Sequence, residues 1–72
     1  MENPVKRLKG ANMVIVHHEN GVDFIHREGA DGDWKIETFM GCFLYDDDMM
    51  ADQLVKWEEE ETMFGYEIHE EG

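Results

Sequence analysis

The side chains able to do chemistry in this 72-residue chain are His17, His18, His26, His69, Cys42 and a large excess of carboxylates, 18 acids against 6 bases. Histidines raise zinc binding, Cys42 a nucleophile, Asp46-Asp47-Asp48 or Asp31-Gly32-Asp33 a calcium loop, and paired acids general acid–base work. None has the company its chemistry needs. No Cys-x-x-Cys or His-Glu-x-x-His spacing accompanies the histidines, so they read as surface or half-buried side chains, with His17 and His26 diagonal neighbours on one hairpin face. Cys42 lies between Gly41 and Phe43 with no positioned base, and reads as a buried thiol. The aspartate runs lack the spaced ligands and closing Glu of a calcium loop, and no glycine-rich phosphate loop is present. Carboxylates are too abundant for any pair to be diagnostic. The chain reads as a non-enzyme with neither cofactor nor metal.

The elements that would position these groups follow from hydrophobic period. Residues 1–11 carry Pro4, Gly10, Lys6, Arg7 and Lys9 with little apolar periodicity, and read as a basic, loosely docked arm before a single domain over 12–72. Met13 to Glu19 and Val22 to Glu28 flank Asn20-Gly21, a two-residue hairpin signal. Pairing Glu19 with Val22 places Ile15, His17, Phe24 and His26 on one face, and Val14, Val16 and Ile25 on the other. After a turn at Gly29-Ala30-Asp31-Gly32-Asp33, Trp34, Ile36, Thr38 and Met40 alternate with Lys35, Glu37 and Phe39 as a third strand, which Gly41 interrupts. Pattern alone leaves Cys42 to Tyr45 open between a further strand and a covered loop. Asp46-Asp47-Asp48 starts a helix over about 47–61, with Met50, Ala51, Leu54, Val55 and Trp57 as its apolar stripe. Phe64, Tyr66 and Ile68 form a last strand. The expected fold is α+β, in the order β-β-β-α-β, with one amphipathic acidic helix on a small antiparallel sheet. Met40, Met49, Met50 and Met63 read as gap-fillers of a small core.

Charge is the informative feature. Residues 1–36 hold six acids and five bases, net −1, whereas residues 37–72 hold twelve acids and Lys56, net −11, out of a total of −12. Such a field repels nucleic acids and anionic membranes and attracts basic proteins. The single cysteine fits a reducing cytoplasm, and the longest apolar stretch, seven residues from Phe39 to Tyr45, is far short of the roughly 20 that span a bilayer. Glu58-Glu59-Glu60-Glu61 lies at the end of the helix where carboxylates oppose the macrodipole and one another. From Asp46 to Glu61 eight acids face one base, which at 1.5 Å rise is about one net charge per 3.4 Å, the spacing along one DNA strand. Glu67, Glu70 and Glu71 would add a neighbouring row if the last strand packs beside the helix. A solvated face, or halophilic acidity, competes with this reading, but neither accounts for a first half left near neutral.

With that charge pattern over Asp46 to Glu71, the chain resembles the phage-encoded small acidic DNA mimics, and in size and charge the inhibitors of the nucleoid protein HU from host-takeover gene clusters. The resemblance implies an inhibitor in the host cytoplasm, whose acidic face occludes the DNA-binding surface of a basic protein, HU-type first. Restriction enzymes, RNA polymerase, uracil-DNA glycosylase and CRISPR complexes are targets of the same class. The residues expected to meet the partner are Asp46, Asp47, Asp48, Asp52, Glu58, Glu59, Glu60, Glu61, Glu67 and Glu70. The sheet face around Ile15, Phe24 and Ile36 is expected to serve self-association as a homodimer. The reading from another class is a structural or assembly protein that binds partners through that apolar sheet and is acidic only for solubility.

Overall fold

A computed structural model describes residues 3–28 and 32–70. The element order is α1 (Val5–Leu8), β1 (Ala11–His18), β2 (Gly21–His26), β3 (Trp34–Thr38), β4 (Gly41–Tyr45), α2 (Asp47–Glu59) and β5 (Gly65–Glu70). All pairings are antiparallel, in the order β4-β3-β2-β1-β5. The α+β class with an acidic helix on the sheet is as the periodicity predicts. The segment after Gly41 resolves as a strand, making five in place of four. Residues 29–31 of the expected turn, and Glu71, lie outside the described residues.

The helix covers one sheet face because the alternation within each strand and the helical stripe converge there. Val14, Val16, Ile25, Trp34 and Ile36 from the strands meet Met50, Ala51 and Leu54 from α2 in one core with Leu8, Ala11 and Met63, while Trp57, Tyr66 and Ile68 pack half-buried at its margin. Fully burying a Leu, Val or Met contributes about 1.5–3 kcal/mol each, and Leu8, Val14, Met50 and Leu54 are all at 0% exposure. The first of these corrects the reading of a loosely docked arm. Leu8 is driven into the core by its own apolar surface, and the turn Val5–Leu8 closes on Pro4 through Arg7 N–H and Leu8 N–H to its carbonyl at 2.9 and 3.1 Å.

The β1–β2 hairpin differs from expectation in register. His17 pairs with Val22 and His18 with Gly21, so Glu19-Asn20 form the turn and Gly21, at φ 128°, follows it in a conformation that glycine adopts without strain. A displacement by an even number of residues keeps every side chain on its predicted face, and Ile15 still opposes Phe24. His17 and His26, however, are carried apart, since His26 now faces Met13. In the second hairpin Phe39-Met40 make the turn between Thr38 and Gly41. Phe39 is 99% exposed and Met40 75%, so the third strand ends two residues short of the predicted alternation. Met50 and Met63 fill the core as expected, whereas Met40 and Met49 do not.

The opposite sheet face is open. It carries Met13, Ile15, Val22, Phe24 and Leu44, the last three being 45%, 57% and 56% exposed. Ile36 belongs to the covered face and is buried, so it drops out of any self-association surface. Cys42 is exposed, contrary to the reading of a buried thiol, because it sits on the edge strand β4.

Candidate functional site

The acids expected to meet a partner fall into separate environments. Asp46 is the N-cap of α2 and accepts from Met49 N–H at 2.8 Å, satisfying an orphan amide of the first turn. Asp47 accepts from Arg27 Nη1 at 2.6 Å and from Trp34 Nε1 at 2.9 Å, both on Oδ1. Both carboxylates are committed to the fold, but only Asp47 is half-buried by its partners; Asp46 caps the helix from an exposed position.

Arg27 is the residue that sequence reading missed. It is 6% exposed and satisfies its guanidinium almost entirely on backbone and Asp47, donating from Nε to Ala11 O at 2.7 Å and from Nη2 to Leu8 O at 2.6 Å. The plane stacks over Trp34 at 4.5 Å to the ring centroid, a geometry that suits Arg better than Lys. One side chain thus ties α1, the start of β1, β3 and the N-terminus of α2 together. The signal was present in the sequence: Arg27 stands two residues after Ile25, on the core-facing parity of the strand.

The remaining acids of this stretch, Asp48, Asp52, Glu58, Glu59, Glu60 and Glu61, are exposed. Asp48, Asp52 and Glu59 lie along one line of the helix, with Lys56 interposed one turn after Asp52, and Glu58 is turned away from that line. With Asp47 half-buried and paired, seven exposed acids against Lys56 over 46–61 leave about one net charge per 4 Å of axis. This surface is a dense anionic field and not a one-to-one copy of phosphate spacing.

The helix ends at Glu59, earlier than the predicted 61, with a Schellman turn: Glu61 N–H donates to Glu58 O at 3.1 Å and Thr62 N–H to Trp57 O at 3.0 Å. The residue closing such a turn is left-handed and usually glycine, yet here it is Glu61, at φ 59°. Its carboxylate also lies at the negative end of the helix. Glu61→Gly is therefore expected to stabilise the domain by about 1 kcal/mol, read as a higher midpoint in urea denaturation.

Glu67 does not extend the helical field as a neighbouring row, whereas Glu70 keeps the parity of Tyr66 and Ile68, on the side of the sheet that α2 covers. β5 pairs with β1 at the sheet edge, and Glu67 opposite Ile15 projects from the open face, on the other side of the sheet from α2. Glu70 is exposed at the end of β5, opposite Ala11. On the open face His17 Nε2 meets Glu67 Oε2 at 2.7 Å, and His69 Nε2 lies 3.5 Å from Oε1. The hydrogen bond from His17, aided by the charges of His17 and His69, holds the Glu67 carboxyl below its ordinary 4.5. A depressed carboxylate stabilises fully above its unfolded value and loses that contribution as pH falls through the folded one. NMR titration of the Glu67 carboxyl should thus give a midpoint below 4.5, and His17→Gln should return it towards 4.5.

Among the described residues no group of three or more His, Cys, Asp or Glu is arranged to hold a metal ion, and no helix is long and apolar enough to cross a membrane. No protein-family model, curated protein or solved structure matches this chain. The residues themselves therefore carry the functional argument.

Proposed function

We propose that this protein is a non-enzymatic inhibitor, acting in the cytoplasm, that occupies the DNA-binding surface of a basic bacterial protein with the acids of α2 and its C-terminal turn. HU-type nucleoid proteins are the first candidate target; other DNA-acting proteins with a basic groove are the alternatives. The observation that carries this reading is Glu58 to Glu61. Four consecutive exposed acids stand where macrodipole, mutual repulsion and, at Glu61, backbone conformation all disfavour them. Residues that weaken a small fold and leave an anionic surface on rigid secondary structure suit a partner that binds phosphates. Inhibition is by steric and electrostatic occlusion.

The test is capture from a bacterial lysate on the immobilised protein, washed at about 0.1 M and then about 0.5 M salt, with duplex DNA as competitor. Retention of small basic DNA-binding proteins that elute with salt and are displaced by DNA supports the reading. Retained proteins indifferent to both remove it.

One observation favours a second reading, an assembly protein or homodimer that binds through the open sheet face. Val22, Phe24 and Leu44 are exposed on that face beside half-buried Ile15 and Met13, and apolar surface of this kind marks contact sites. In that case Phe24→Ser weakens association more than any glutamate substitution.

A further inference from the structure

Among the described residues the two hairpins of the sheet are joined at a single residue pair, His26 with Lys35. From there they diverge, and the space between β2 and β3 opens into a cleft of about 880 Å³, within the range of ligand-binding cavities. Its floor is apolar, formed by Ile25, Ile36, Trp57 and Met63, and its walls are the facing edges of two strands. The Arg27 N–H to Asn12 O bond sets the alternation of the β1–β2 ladder, which turns the backbone groups of Val22 and Phe24 away from β1 and towards the cleft. Counting likewise from Thr38 and Gly41 beside the second turn, the backbone of Glu37 faces the cleft from the other side.

We propose that this cleft takes an extended, basic segment of a partner protein as an inserted strand, pairing with β2 on one edge and β3 on the other. Backbone hydrogen bonds supply the affinity of such strand addition and alternate side chains its specificity. Charge selects the occupant. Glu19, Asp23, Glu37 and Glu61 line the cleft with Lys35, His18 and His26, Asp23 being already held by His18 at 3.0 Å. Apolar side chains of the insert on the helix side reach Trp57 and Met63, while its Lys or Arg side chains on the open face meet Glu37. Nucleic acid is repelled by the same carboxylates. A second copy of this chain, net −12, is disfavoured too, and its one strongly basic segment, around Lys6, Arg7 and Lys9, is fixed to its own core through Leu8. Of the acids of α2 and its C-terminal turn the cleft shares Glu61 alone, so it stands or falls without the rest of that field.

The probe is an acetylated and amidated Lys-Val-Lys-Val-Lys-Val peptide, followed by amide hydrogen exchange and by affinity. Insertion slows exchange at the Val22, Phe24 and Glu37 amides by at least about tenfold, and each peptide N-methylation that blocks a hydrogen bond weakens binding about fivefold. Glu37→Lys, a change at an exposed position, weakens the peptide by about tenfold or more, whereas the Glu59→Lys, Glu60→Lys double variant leaves it unchanged. The proposal is overturned by any of four results. They are absence of binding, equal binding of N-methylated peptide or of a Glu-Val counterpart, protection confined to α2, and protection of the cleft amides by raising the concentration of the protein alone, which would make a second copy the occupant.

Discussion

Reversing Glu59 and Glu60 together to Lys abolishes binding to the basic partner, by at least about 100-fold, while the domain keeps its circular dichroism spectrum and urea midpoint. The magnitude follows from close charge pairs at interfaces, which couple by about 1.5–7 kcal/mol, each 1.4 kcal/mol being tenfold. Both side chains are exposed and neither makes a contact the fold depends on, so the variant separates surface from scaffold. Removing two acids from the negative end of α2 should raise stability slightly, opposite in sign to the effect on binding. Unchanged affinity would show that the acids of α2 are only a solvated face. Lys56→Gln, which removes the cation lying among Asp52, Glu59 and Glu60, is expected to tighten the same complex.

Arg27→Met unfolds most of the population at room temperature. Taking one partner from a buried ion pair costs about 3–5 kcal/mol, and a core of this size supplies about that much in total. The substitution leaves the Leu8 and Ala11 carbonyls without their donor and Asp47 without its cation, and it removes the plane stacked on Trp34. Asp47→Asn is expected to be milder, because its side-chain oxygen can still accept from Trp34 Nε1 and Arg27 keeps its carbonyl partners. Urea denaturation of the two variants measures this ordering; equal stability of Arg27→Met and the parent chain would show that the cluster is dispensable. Lys at position 27 would not rescue, since one ammonium cannot reach the two carbonyls and the carboxylate in the same plane.

The strands of the first hairpin, their faces and the stripe of α2 were legible because alternation and helical period are direct consequences of which side is buried. Register was not, since Asn20-Gly21 fits a two-residue turn as well as the observed Glu19-Asn20 does, and both choices bury the same side chains. The second hairpin was obscured by its turn. Phe39 and Met40 are apolar and carry no turn signal, and Gly41, read as a break, instead opens β4 at φ 127°. The docking of residues 5–8 through Leu8, which Arg27 reinforces by donating to the Leu8 carbonyl, was not legible, because which surface a lone leucine buries against is decided by segments far along the chain. Of the candidate site, the exposed acids from Asp48 to Glu61 could be read off as a charge run. That an aspartate at the helix start caps it was legible as well, since Asp46 accepts from Met49 only three residues on. That Asp47 pairs with Arg27 and Trp34, and that Glu67 projects from the other face, could not be read, because each depends on a partner far along the chain or on which side of the sheet α2 packs.

The most direct test of the central claim is a competition titration. A fluorescent duplex bound to a purified HU-type protein is titrated with this protein at about 0.1 M and about 0.3 M salt, and anisotropy reports the DNA released. The account predicts complete release at low salt, with an apparent affinity that falls by about tenfold or more at the higher salt, and no release by the Glu59→Lys, Glu60→Lys variant. Anisotropy that stays at the bound level throughout, or release that the double variant reproduces, would contradict it.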